Sequence, residues 1–305
     1  MKLFDSVVTR AATLALLFAT VATAASAQQG RNMTPEQRAQ FLAEQERQLQ
    51  QDFATPRPID ALNSVWIEEL TWMEIRDALA EGKTTAIIST GGIEQNGPYL
   101  ATGKHNYVLA GACEGIARAL GNALCAPVLK LVPEGGIEEP TGHMRYPGTI
   151  SLREDTFQAV LDDVASSLKA HGFEHIVFIG DSGGNQRGME TVAGALNERW
   201  SDASAHFIPE FYEYEKVFEY MDSELGIKEP TNDGLHDDYV ITSIMMVADP
   251  TSVRHEQRVK AGKASINGLS IEDKDKTIEI GKKLLNFRVH QTVIAIQAAL
   301  AADHN

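Results

Sequence analysis

Two short β-branched runs, each opening straight into a glycine loop, constrain this chain most. Thr84 to Ser89 (TTAIIS) leads into Gly91-Gly92, and His175 to Gly180 (HIVFIG) leads into Asp181-Ser182-Gly183-Gly184. An apolar run of this length bounded by turn residues reads as a strand buried on both faces. Helical patterns separate the runs. Thr71 and Glu74 have capping-box spacing before a helix through Leu79 and Ala80. Asn106 to Leu120 reads as a helix and Leu124 to Val132 as a further strand. Ser151 and Glu154 suggest a second capping box. The helix after it places Phe157, Val160, Leu161, Val164 and Leu168 on one face, and Gly172 stops it. Met189 to Trp200 reads as helix, Ala205 to Pro209 as strand, and residues 277–301 as a long closing helix. Strands alternating with helices predict a three-layer α/β/α fold with a mainly parallel sheet.

Ligands of such sheets gather beyond the carboxyl ends of the strands, where the unusual residues of this chain fall. The first loop carries Glu94, Asn96 and His105, and the loop after the third strand carries Asp181, Ser182 and Asn185. Glu94 and His105 are residue types that hold zinc or manganese, although a turn glutamate is usually solvated and a lone histidine usually structural. Gly183-Gly184 allows close backbone approach. Gly180 to Gly184 spells G-x-S-x-G, but no ordered Asp and His partners accompany it, which counts against a serine hydrolase. A third cluster, Asp233 to Tyr239 (DGLHDDY), offers His236 as a general acid/base or ligand, or else is an acidic helix start.

The ends and the charge set further expectations. Lys2 and Arg10 precede an apolar run, Ala11 to Thr23, followed by Ala25-Ser26-Ala27, the pattern of a secretory signal cleaved after Ala27. A periplasmic or secreted protein is expected, with no stable membrane span after cleavage. Residues 28–57 are polar and Gln-rich and read as a linker or surface helix from Pro35 to Phe53, ahead of one domain over 58–305. A formal net charge of −15 argues against nucleic acid and suits a small-molecule substrate. Cys113, on a helix, and Cys125, opening a strand, read as two separate buried thiols rather than a pair.

Taken together, the clusters resemble the creatininase (creatinine amidohydrolase) family over roughly residues 60–300. Members carry G-x-x-E-Q-H-G-P-H-L-P-x-x-T-D, which stands here as Gly91 to His105. They carry E-H-x-x-F-P-G-T-I-S-L, here Gly142 to Leu152 with His143; N-G-H-G-G-N, here Gly180 to Asn185; and H-A-G-x-x-E-T-S, here His236 to Ser243. The resemblance implies hydrolysis of a carbon–nitrogen bond in a small linear or cyclic amide, divalent metal and a homo-oligomer. The family's metal-binding positions are altered: Asn96 stands for a histidine, His105 for the bridging aspartate, Ser182 for a histidine and Ile241 for a glutamate. One metal site is then expected to be erased and the other rebuilt from Glu94, His105 and Asp181 around a single zinc or manganese. His236 would move protons with Asp181, and Asn96, His143, Ser182, Gly183, Gly184 and Asn185 would face substrate. The rival expectations are a metal-free lyase or isomerase using His105, His236 and Asp181, and a non-catalytic binder.

Overall fold

A computed structural model of the chain describes residues 33–302. The expected signal segment lies outside the described residues. The chain divides into two units, residues 1–60 and 61–305. Among its described residues the first holds α1 (Pro35–Ala54), which buries no side chain and starts at a complete capping box between Thr34 and Gln37.

In the second unit α2 (Trp72–Ala80) begins at the expected capping box, Thr71 with Glu74. Then follow β1 (Thr85–Thr90), α3 (Lys104–Leu120), β2 (Ala123–Cys125), α4 (Glu154–Ala170), β3 (His175–Gly180), α5 (Gln186–Arg199) and β4 (Ser204–Phe207). α6 (Tyr214–Ser223), α7 (Tyr239–Ala248), α8 (His255–Lys260) and α9 (Lys274–Ala302) complete the unit, with a small antiparallel ribbon at residues 265–270. The sheet order is β2-β1-β3-β4 and every ladder is parallel. β1 is buried along its whole length, as its unbroken TAIIST run requires. α3 packs on β1 and β2 together with α7 and α9, while α4 and α5 pack on each other and on β3, giving the three layers expected. α7 and α9 pack over α3. Gly281 of α9 makes this possible, since a Cβ there would sit 2.1 Å from the carbonyl oxygen of Ser243.

Connections leave β1 and β3 in opposite directions, so a crevice opens between their carboxyl ends. The segments that close it depart from the sequence expectations in three ways. The strand foreseen over 124–132 pairs only at Ala123–Cys125 and then touches β1 through single bonds, Ala126 N–H to Ile87 and Leu129 N–H to Ser89. Pro127 has no N–H and interrupts the ladder. The Ser151–Glu154 capping box does not form: Arg153 precedes α4 without a side-chain cap. The Ser151 hydroxyl instead accepts from Glu134 N–H at 2.9 Å and donates to Gly135 O at 2.8 Å, which pins the Glu134 loop. Finally, Cys113 and Cys125 are joined in a disulfide. Gly121 ends α3 at φ 79°, folding β2 straight back along the helix. This brings the two cysteine Cα atoms to 6.2 Å, which a reading of each element alone does not reveal. Among the described residues no helix is long and apolar enough to cross a membrane.

Candidate active site

Glu94 sits at the centre of the crevice and is 2% exposed. Its loop leaves β1 and is held by Asn106, whose side chain donates to Gly92 O and accepts from Gly92 N–H. α3 begins two residues before the expected Asn106, because the Gly103 carbonyl already accepts from the Asn106 and Tyr107 N–H groups. Lys104 and His105 therefore belong to the first turn of a helix, not to the loop, and both side chains are buried.

His105 lies between two carboxylates. Its Nε2 is 2.8 Å from Glu94 Oε1 and its Nδ1 is 2.7 Å from Asp181 Oδ2. Two ionised carboxylates can only accept, so both ring nitrogens donate and the ring is an imidazolium. Burial alone would lower its pKa, but the hydrogen bonds to Asp181 and Glu94 overcome this and raise it. Burial would raise Glu94, yet the hydrogen bond and charge of His105, with Lys104 and His236, hold it far below the ordinary carboxylate range. Asp181 is likewise held low against burial by Arg288 and His105. Arg288, from α9, donates to Asp181 Oδ1 at 2.7 Å and to Phe211 O at 2.6 Å, and Tyr214 donates to the same Asp181 oxygen at 2.8 Å.

Glu94, His105 and Asp181 thus converge as expected in space, but as a chain of hydrogen bonds. With both nitrogens donating, His105 has no lone pair for a metal or for base catalysis. A different group has metal-ligand spacing: Glu94, His143 and His236 place ligand atoms within 4.8 Å of one another and could hold an ion. The imidazole rings of His143 and His236 stack with centroids 4.5 Å apart, and His143 Nε2 is 3.2 Å from Glu94 Oε2. His236 Nδ1 faces Gln95 O at 2.9 Å, so Nδ1 carries the hydrogen and Nε2 the lone pair. Burial, and then the Lys104 charge, lower the His236 pKa. The set fits one divalent ion in donor type and spacing, with Lys104 as a competitor because its Nζ lies 3.3 Å from His236 Nε2.

The other expected substrate contacts are turned inward. Asn96 donates to Glu94 O and Ala101 O, and Asn185 donates to Thr90 O, Thr90 Oγ1 and Gly91 O, so both tie loops together. A Cβ on Gly184 would meet Pro133 O at 2.3 Å, and one on Gly183 would meet the Tyr212 hydroxyl at 3.0 Å. The glycine pair therefore makes room for protein neighbours. Ser182 is buried and its carbonyl accepts from Asn185 and Gln186.

Sequence reasoning did not single out Lys104, Glu134, Tyr212 or Arg288. Glu134 is 6% exposed and stands over Gly92, where a Cβ would lie 2.1 Å from its Oε1. Burial, and then the neighbouring Glu94 charge, push its pKa up to about 8. Lys104 lies inside the Gly91 to His105 segment, where the family pattern has threonine, and that departure was the one signal available; no motif marks the other three, and Glu134 follows a proline in an unremarkable P-E-G-G turn. A cleft of about 720 Å³ opens above Lys104, His105 and His236, walled by Tyr212, Glu213 and Asp237.

The family profile described as creatininase, creatinine amidohydrolase, matches residues 68–293. Creatinine amidohydrolase of Pseudomonas putida is 28% identical over 131 residues, 43% of this chain and 49% of that relative, so the match spans about half the curated relative's length. A crystal structure of creatinine amidohydrolase superimposes with a TM-score of 0.57 at 21% identity, covering 78% of this chain and 98% of that one. A manganese form of creatininase gives 0.57 at 22% identity over 78% and 99%, and a variant complexed with creatine gives 0.55 at 22% over the same shares. At these identities the solved structures establish the fold, and the profile, which covers most of the chain, establishes that it belongs to the creatininase family.

Proposed function

We propose that this protein hydrolyses a carbon–nitrogen bond of a small linear or cyclic amide, using a single divalent metal such as zinc or manganese. The observation that carries this reading is the Glu94, His143 and His236 donor set beyond the carboxyl end of β1, with His236 also lining a cleft of small-molecule size. An ion held there would supply Lewis-acid polarisation of the amide carbonyl. The chain's own residues supply the rest. His105 holds the Glu94 carboxylate in place and is itself held by Asp181, Arg288 and Tyr214. Glu134, with a pKa near neutrality, is suited to take a proton from the attacking water and return it to the departing nitrogen. Tyr212, whose hydroxyl is kept protonated by burial and nearby Asp181, lines the cleft as a donor to the substrate oxygen. In the net reaction the water oxygen bonds to the carbonyl carbon, the carbon–nitrogen bond breaks and nitrogen gains the proton.

A metal-free lyase or isomerase built on His105 and Asp181 gains no support, because these two groups are committed to each other and to Glu94 and Arg288. The test is a panel of small lactams, cyclic amidines (creatinine among them) and linear amides, incubated with protein and added zinc or manganese and followed by proton NMR. Ring opening or amide cleavage of at least one compound is the expected result. Absence of turnover across the panel with either metal would sink the hydrolase reading in favour of a binding protein.

We propose further that the mature chain acts outside the cytosol. The Cys113–Cys125 disulfide supports this, since such bonds persist in oxidising compartments, and so does the signal-like start. Intact mass of protein recovered from the cell envelope should correspond to a chain beginning at Gln28 with the two cysteines joined. A cytosolic chain that retains Met1 would refute it.

A further inference from the structure

The Lys104 side chain is 4% exposed, yet it holds a charge in the middle of the candidate metal site. Its Nζ lies 3.2 Å from Glu94 Oε1, 3.3 Å from His236 Nε2 and 3.4 Å from His236 O. An ammonium has three hydrogens and no acceptor, so these three contacts use all of them. The first two engage one oxygen of Glu94 and the free ring nitrogen of His236, atoms of two of the three donor residues. A second group in the same cleft is complementary. Asp237 follows His236, and both of its carboxylate oxygens are buried without a hydrogen-bond partner. An ionised carboxylate left in that condition is costly; the favourable charges acting on it are those of Arg258 and Lys104, and of the two only Lys104 also sits on the donor set, on a flexible four-carbon stem.

We propose that Lys104 is a tethered cation occupying the position a divalent ion would take, and that metal binding is an exchange in which the ammonium leaves Glu94 and His236 for Asp237. This rests on the reading of Glu94, His143 and His236 as the donor set. A lysine seated on two of three donors lowers metal affinity twice over, by filling the volume and by repelling a dication at contact distance. Loading then depends on local metal concentration, and without metal the buried Glu94 still has its counter-charge. Asp237 serves as the second seat, which makes the lysine a two-position element and not a permanent block.

The experiment is calorimetric titration of zinc and manganese into chelator-stripped full-length protein, with circular dichroism as a control for folding. Lys104→Met keeps the length of the stem and removes the charge; it is expected to tighten metal binding by about tenfold or more. Lys104→Arg keeps a cation and should show no such gain. Asp237→Asn should weaken binding in the wild-type background and have a smaller effect beside Lys104→Met, because the seat matters only when there is a lysine to receive. Adding His143→Ala to Lys104→Met should abolish the gain. If Lys104→Met binds no tighter than a wild type that does bind metal, the proposal fails while the donor set stands. Absence of binding by wild type and Lys104→Met alike would bring down the donor set, and the proposal with it.

Discussion

Arg288→Met is expected to destabilise the protein by about 3–5 kcal/mol, the range for removing one partner of a buried ion pair. Arg288 is 3% exposed and Asp181 is fully buried. The guanidinium lies 4.2 Å from the centre of the Phe211 ring and 4.4 Å from that of Tyr214, so its plane is also part of the packing. Met fills much of the stem volume, leaving Asp181 with a single cationic partner, His105. Urea unfolding at neutral pH measures the loss. The double variant Asp181→Asn with Arg288→Met should recover most of it, because no charge is then stranded. A single-variant loss under about 1 kcal/mol, or a double variant as unstable as the sum of its parts, would show that the pair does not anchor α9 to the sheet edge. The sign with pH follows from Asp181. Its folded pKa is depressed, so its contribution is present above the ordinary 3.8 and is lost as the solution is acidified below it.

Glu134 predicts the opposite slope. Its folded pKa is raised from the ordinary 4.5 to about 8, so the folded state binds a proton that the unfolded chain releases. Below 4.5 both states are protonated and Glu134 costs nothing. As pH rises from 4.5 to 8 the folded state progressively loses ground, and above 8 the cost stays constant. A shift of this size corresponds to roughly 2–4 kcal/mol, allowing for the coupling between Glu134 and Glu94. Glu134→Gln mimics the neutral carboxyl in shape. The difference in stability between variant and wild type, measured by urea unfolding in chelator at a series of pH values, should therefore grow in favour of the variant from pH 5 to pH 8 and then level off. Parallel curves over that interval would mean that Glu134 is not held protonated. The same substitution should depress turnover if the carboxyl carries the proton to the departing nitrogen.

The two residues show different limits of reading a chain by its neighbours. α/β alternation was legible because it is local: TAIIST and HIVFIG each contain the β-branched run that a doubly covered strand needs, and each glycine loop announces where its strand ends. Placement of Glu94 and Asp181 at adjacent strand ends followed from the same alternation, since parallel strands put their carboxyl ends on one edge. His236 was singled out by its acidic, motif-like surroundings, and the structure puts its ring beside Glu94 and His143. Roles were less legible than positions. His105 was read as a ligand because a histidine beside a carboxylate suits a metal; the second carboxylate, Asp181, lies 76 residues away in the chain and turns the ring into a double donor.

What only the tertiary structure decided are the pairings across distance. Arg288 reaches Asp181 across 107 residues, and Lys104 meets His236 across 132. A lysine opening a helix is ordinarily solvated, and an arginine inside a long amphipathic helix ordinarily faces water, so neither residue type carries a local signal of burial. Cys113 and Cys125 fell on a helix and a strand as expected, yet their union depended on the angle at which Gly121 turns one onto the other. The sequence by itself determined the layers and the edge at which chemistry can occur, because periodicity and turn chemistry act between near neighbours. Which charge faces which was decided by the closing of the sheet and the docking of α9, because a buried charge takes its partner from whatever the fold brings within about 3 Å.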